Sequence, residues 1–277
     1  MDYRSAMIIA LKRALRKNLM IYGGYAAYAS ILSLFPFVIF LVALASVMGS
    51  PKLAEQAIQS AFNNLPDQVV EAIAPAIRAV MQGENHAILT FAALGTVWVA
   101  SSGIEGIRFG LNIAYEVAEP RPLWQRRLQG IFFTVFGSMV LLFIATGLIL
   151  WPVVLEWAVG YAPLLASAPM ALLRYVMAFC VLTGTMCLIY YYLPNVQKTW
   201  RQVLPGAVLA TLIWLGLATG FSYYVSNFGD YTVRYGSLAG IILTMLFLHF
   251  SSAAILLGGQ FNFSLAQLQA RHEEELE

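Results

Sequence analysis

Glu105 and Arg108 stand three residues apart just after Ser102-Gly103, a spacing that puts a carboxylate and a guanidinium on one face of any helix through them. At membrane depth such a pair is costly and lines a polar path; at the interface it is an ordinary surface pair. From sequence both readings stay open. Asn112, Tyr115, Arg121 and Arg127 follow in the same link. Arginine suits a phosphate group because its planar fork of donors meets two oxygens at once. Near the end of the chain His249, Ser252 and Gln260 fall on one side of a helix, within roughly 80° at about 100° per residue. His249 can carry a proton or simply bond a neighbouring helix. Asp230 and Arg234, four apart, fit an outer gate or a loop ion pair, and Tyr235 adjoins them.

Other chemistry finds no support. The chain has no H-E-x-x-H, C-x-x-C, P-loop or G-x-S-x-G pattern. His86, His249 and His272 lie in separate regions, so no metal site, nucleophile triad or cofactor motif can be assembled. No catalytic residue is assigned, and the expectation is a protein that is not an enzyme. Cys180 and Cys187, seven apart on one helix, sit about 10 Å from each other, too far for a disulfide. A net charge of +2 gives nucleic-acid binding no electrostatic support.

The elements that must position these groups are apolar. Six blocks, 25–48, 87–103, 129–151, 171–192, 205–227 and 238–261, each have about the length a helix needs to cross a hydrocarbon core. Only 11% of residues are charged and mean hydropathy is +0.73. A bilayer core offers no water to backbone groups, so the blocks should be helices. The expected fold is all-α: a polytopic membrane protein, a six-transmembrane-helix bundle. Residues 1–265 form one membrane domain and 266–277 an acidic cytoplasmic tail. The basic start, 1–24, reads as the lead-in to a retained span, because the block after it is too long for a signal peptide.

Twelve of the sixteen Lys and Arg residues fall in the N-terminal tail, the second and fourth links and the C-terminal tail. The rest, Lys52, Arg78, Arg174 and Arg234, fall on the other side. The positive-inside rule then puts both termini in the cytoplasm, as an even number of spans requires. The outer link 49–86 carries helical periodicity after Ser50-Pro51 and again after Pro66, which predicts two short amphipathic outer helices. Ser102-Gly103-Ile104-Glu105 has the S-x-x-E form of a capping box; it predicts a break in the membrane helix and a separate inner-loop helix through Tyr115. Pro205 reads as a first-turn proline and Pro36 as a kink. Ala207, Thr211, Ala218 and Ser222 form a small-residue packing stripe.

YASILSLFPF (Tyr28–Phe37), GLNIAYEV (Gly110–Val117), YYYLPN (Tyr190–Asn195), the PGA at Pro205, YGS (Tyr235–Ser237) and LLGGQFN (Leu256–Asn262) occur in this order. Together they resemble the YihY / virulence factor BrkB family of bacterial inner-membrane proteins, over about residues 8–265. The resemblance implies six spans in a bacterial cytoplasmic membrane. It supplies no settled activity: members are associated with serum resistance, some are proposed to move lipids or other solutes, and an old ribonuclease BN label persists. This sequence shows no nuclease cluster and no basic, aromatic-interleaved groove. Relatives often carry an acid where this chain has Gln260, which weakens a proton- or cation-coupling role there. Asn112, Tyr115 and Arg121 match the family's inner-loop pattern; Pro194, Pro205, Tyr235, Gly236 and Gly258 match the later motifs.

The functional expectation is transport of a lipid or other amphipathic, anionic solute, with membrane lipids as partners, no cofactor and no ATP motif. Two rivals stand beside it. One is a gradient-driven carrier or channel for a small ion or osmolyte using Glu105, Asp230 and His249. The other is a non-catalytic membrane scaffold.

Overall fold

The computed structural model describes residues 3–48, 95–161, 168–227 and 237–275, and every element among them is helical. These are α1 (Tyr3–Arg16), α2 (Leu19–Met48), α3 (Ser102–Ala114), α4 (Leu123–Tyr161), α5 (Ala168–Tyr192), α6 (Trp200–Asn227) and α7 (Ser237–Glu274). Residues 95–100 are also helical and lead into α3 through a turn at Ser101. Among the described residues four stretches are long and apolar enough to cross a membrane: Leu123–Ile144, Tyr175–Tyr192, Trp200–Val225 and Gly240–Glu274. A shorter apolar stretch, Leu19–Leu34, lies in α2. Four of the six expected blocks thus coincide with such helices, and the first lies inside α2. The first part of the second block, 87–94, lies outside the described residues, as do the two outer amphipathic helices.

The chain folds around α7, which packs on α6, α2, α1 and α3. Small residues let backbones approach there, the usual solution where lipid tails give helices no hydrophobic reason to associate. Gly23 of α2 abuts Ala253, and Gly106 of α3 abuts Ala26. Gly206 of α6 meets Gly258 of α7 so closely that a methyl on Gly258 would fall on the Gly206 carbonyl and the Tyr190 hydroxyl. The core gathers at one end, from Leu19, Leu111, Tyr115, Tyr190, Leu193, Val203 and Leu256. Ala6 and Ala10 of α1 seat against Phe261 and Leu265 of α7, so the first and last helices meet at that same end. The small-residue stripe on α6 is half used: Ala207 and Thr211 are buried, and Thr211 Oγ1 lies 3.3 Å from Thr183 Oγ1, but Ser222 is exposed.

Two local expectations are corrected. Ser102 does not cap α3. Ser101 precedes it in right-handed helical geometry, makes no capping bond, and donates its hydroxyl backwards to the Trp98 carbonyl at 2.7 Å. The chain therefore turns from 95–100 into α3 without a full break, and the Glu105 carboxylate is drawn to arginines rather than to a backbone N–H. Pro205 is not in a first turn either, because α6 begins at Trp200. The motif that starts α6 is Thr199-x-x-Gln202: Gln202 Oε1 accepts from the Thr199 N–H at 2.9 Å, one half of a capping box. Pro205 is then interior and returns no N–H to the turn before it. Asn262 of α7 repairs the site, accepting from the Gly206 N–H at 2.7 Å and donating to the Val203 carbonyl at 3.0 Å.

Candidate functional site

The described end where α1 and α7 meet also holds Lys17, Arg108, Arg121, Arg126, Arg127 and Lys198, joined in three clusters. The first centres on Arg108, only 1% exposed. Its Nη1 pairs with Glu105, and its Nη2 donates to the Arg126 carbonyl at 2.9 Å. Arg126 Nη1 lies 3.3 Å from the same carboxylate. The pair inferred from spacing therefore forms and is shared with α4. Arg127 turns the other way, its guanidinium 4.7 Å from the Trp98 ring centre and 3.2 Å from Ser101 Oγ.

The second cluster is a clamp on Glu119. Arg121 grips both carboxylate oxygens, Nε to Oε1 at 2.6 Å and Nη2 to Oε2 at 2.7 Å. Asn112 donates to Oε2 at 2.8 Å, and its own Oδ1 accepts from the Asn195 N–H at 3.1 Å. Arg121 also reaches Gln129 Oε1 at 3.0 Å and the Leu193 carbonyl at 2.7 Å. One ion pair thus ties α3, α4 and the end of α5. Burial alone would raise the Glu119 carboxyl; the Arg121 and Asn112 hydrogen bonds outweigh it and hold the group below its ordinary range.

The third cluster surrounds Tyr115. α3 ends in a Schellman motif: Val117 N–H bonds the Asn112 carbonyl at 2.9 Å and Glu116 N–H the Ile113 carbonyl at 3.2 Å. The left-handed position usually given to glycine is held by Glu116, φ 59°. Lys17 offsets that conformation. Its Nζ lies 2.6 Å from Glu116 Oε1, 3.4 Å from the Ile113 and Ala114 carbonyls and 3.3 Å from Gln260 Oε1. Lys198 Nζ sits 3.4 Å from the Tyr115 ring centre and donates to the Tyr190 carbonyl at 2.7 Å. Burial draws its ammonium down to about 7, while the ring face favours the charged form. Burial raises the Tyr115 hydroxyl, with the Asn262 amide opposing.

Of the residues singled out by sequence, Glu105, Arg108, Asn112, Tyr115, Arg121, Arg127 and Gln260 thus come to this end. His249 does not: it sits higher on α7 against Gly24 of α2, its ring 5.4 Å from Phe250. Tyr235, Asp230 and Arg234 lie outside the described residues. Sequence reasoning missed Lys17, Glu119, Lys198 and Asn262. The signal for Glu119 was its position two before Arg121 across Pro120; Lys198 and Asn262 carry none, because their partners are remote. Among the described residues no three His, Cys, Asp or Glu side chains could hold a metal ion.

A family model described as Virulence factor BrkB matches residues 10–277. The chain belongs to this family. The chain is 33% identical to the Putative ribonuclease-like protein YfkH of Bacillus subtilis (strain 168), covering 85% of this chain and 86% of that one. Identity to a UPF0761 membrane protein of Tolumonas auensis is 32%, over 50% of this chain and 45% of the relative. With UPF0761 membrane protein Nmul_A0452 of Nitrosospira multiformis it is 28%, over 96% of this chain and 62% of the relative. The chain therefore spans about half to two thirds of the length of these last two. No solved structure matches it. With its apolar helices, the chain is a membrane protein of the BrkB family.

Proposed function

We propose that this BrkB-family protein carries an anionic amphiphile, a phospholipid or a molecule built like one, and that it is not an enzyme. The carrying observation is an apolar groove of about 360 Å³ between α1, α2, α6 and α7, walled by Leu11, Leu15, Leu19, Leu217, Phe250 and Leu257. Ile213, Leu217 and Phe250 also wall a second apolar groove of about 510 Å³ between α6 and α7, so the two adjoin. Lys12 and Arg16 follow Leu11 and Leu15 in α1 and are exposed. A tail in the groove would leave an anionic headgroup beside these cations. Residues walling the groove bind the tail; the clusters around Arg108, Glu119 and Tyr115 fix the helices that form it. Their charges are committed to one another, and none of the cavities described is lined by Glu105, Arg108 or Asn112.

The ion-carrier reading finds less support, since Glu105 is engaged by two arginines and His249 sits apart. The bacterial cytoplasmic membrane with both termini inside is part of the proposal, supported by the family and by the shared basic end.

The test is lipid movement in vesicles containing the purified protein, followed by quenching of a headgroup-labelled phosphatidylglycerol. Leu217→Trp fills both grooves and should slow exchange severalfold while a helix-facing control, Leu188→Met, leaves it unchanged. Wild-type vesicles that exchange no faster than empty ones would sink the lipid reading and leave the scaffold.

A further inference from the structure

We propose that the same end of the molecule holds a phosphate-binding site separate from the groove. A cavity of about 130 Å³ lies between the start of α1, the start of α6 and the C-terminal half of α7, and shares no residue with either groove. It has room for one phosphate group and little more. Arg201, Gln202, Asn262 and Gln269 supply its polar lining, Tyr3 its rim, and Pro205, Leu265 and Ala266 its apolar walls.

The polarity of each group selects the ligand. Gln202 Oε1 is taken by the Thr199 N–H at 2.9 Å, so the amide presents its N–H₂ donors. Asn262 presents neither an oxygen nor a donor: Oδ1 is held by the Gly206 N–H at 2.7 Å, and Nδ2 is spent on the Val203 carbonyl at 3.0 Å and the Tyr115 hydroxyl at 3.4 Å, so it only walls the cavity. Arg201 makes no hydrogen bond or ion pair among the described residues, unlike Arg108, Arg121, Arg126 and Arg127. Among the described residues no carboxylate lines the cavity. The site offers the Gln202 and Gln269 amides and the exposed Arg201 cation, with no competing acid among the described residues. The adjoining first turn of the 28-residue α6 adds its positive end. A guanidinium with amide donors matches the tetrahedral oxygens of a phosphate monoester or diester. Trp200, half exposed and stacked on Tyr191 at 4.6 Å, stands beside Arg201 where a membrane interface would lie.

The ligand comes either as a lipid headgroup or as a soluble phosphate, and two arms distinguish them. In the first, the protein in detergent is titrated with inorganic phosphate against chloride at equal ionic strength, with unfolding temperature as readout. In the second, the protein is extracted from nanodiscs of phosphatidylcholine with a minor fraction of phosphatidylglycerol, and retained lipid is weighed by native mass spectrometry. Arg201→Gln and Gln269→Leu should each abolish the response seen in wild type, and Arg271→Gln, on the exposed tail, should not. A response in the first arm assigns a soluble phosphate; one in the second alone assigns a headgroup. No wild-type preference for phosphate or phosphatidylglycerol in either arm overturns the site, as does a response that both variants retain.

Discussion

At the scale of single residues, what separates the charged groups is how many partners each would strand if removed. Arg108 is almost fully buried and serves both Glu105 and the Arg126 carbonyl. Removing one member of a buried pair costs about 3–5 kcal/mol. Glu105 is 30% exposed and would keep Arg126, so the loss should fall toward the lower end of that range. Arg126, itself 26% exposed, should cost under about 1 kcal/mol, as partly solvated pairs do. Denaturant unfolding in detergent of Arg108→Ala and Arg126→Ala measures the contrast; equal, mild losses would reduce the Arg108 cluster to a surface feature. Lys198 gives a pH signature. Its ammonium moves from an ordinary 10.5 to about 7. Between those values the unfolded chain holds a proton that the folded one has released, so stability rises with pH across that window, and the burden of a buried charge is complete below about pH 7. Lys198→Met should flatten the rise in unfolding temperature between about pH 7 and 9. An unchanged slope would assign it to another group.

At the scale of elements, α6 depends on α7 for its own hydrogen bonds. Asn262→Leu leaves the Gly206 N–H and the Val203 carbonyl without the partners that span the proline. Each buried orphan costs about 1–3 kcal/mol. Thermal unfolding should show that loss, and Pro205→Ala in the same chain should recover part of it by restoring an N–H to the helix; no recovery would mean that Asn262 acts through packing alone. This element also shows where the sequence was legible. Long apolar blocks announced α4 to α7 because the bilayer leaves a helix as the only solution. Two similar tetrapeptides announced opposite outcomes wrongly. Ser102-x-x-Glu105 fits a capping box but loses Glu105 to arginines on α4; Thr199-x-x-Gln202, passed over, is the one that starts a helix. Local pattern proposes a cap, and a stronger remote partner decides. Arg108, Asn112 and Arg121 could be singled out because charge and amides are rare here, but Lys17 and Asn262 acquire meaning only from residues far along the chain.

At the scale of the whole molecule, the proposed orientation rests on the distribution of positive charge along the chain. Twelve of sixteen Lys and Arg residues lie in segments assigned to the inner side. A cysteine at Gln82 should react with an impermeant reagent on intact cells, and one near Arg271 should not; the reverse pattern would invert the topology. The seating of α1 on α7 bears on the life of the chain before it is finished. Lys17 meets Gln260 across 243 positions, and Ala10 meets Leu265. α1 is synthesised before α7 and therefore finds its seat only once α7 has been inserted. Until then the alanine face of α1 lacks its α7 seat and Lys17 lacks Gln260. A nascent chain stalled before α7 lacks that seat, so α1 in such truncated products should be cut by proteases more readily than α1 in chains that include α7.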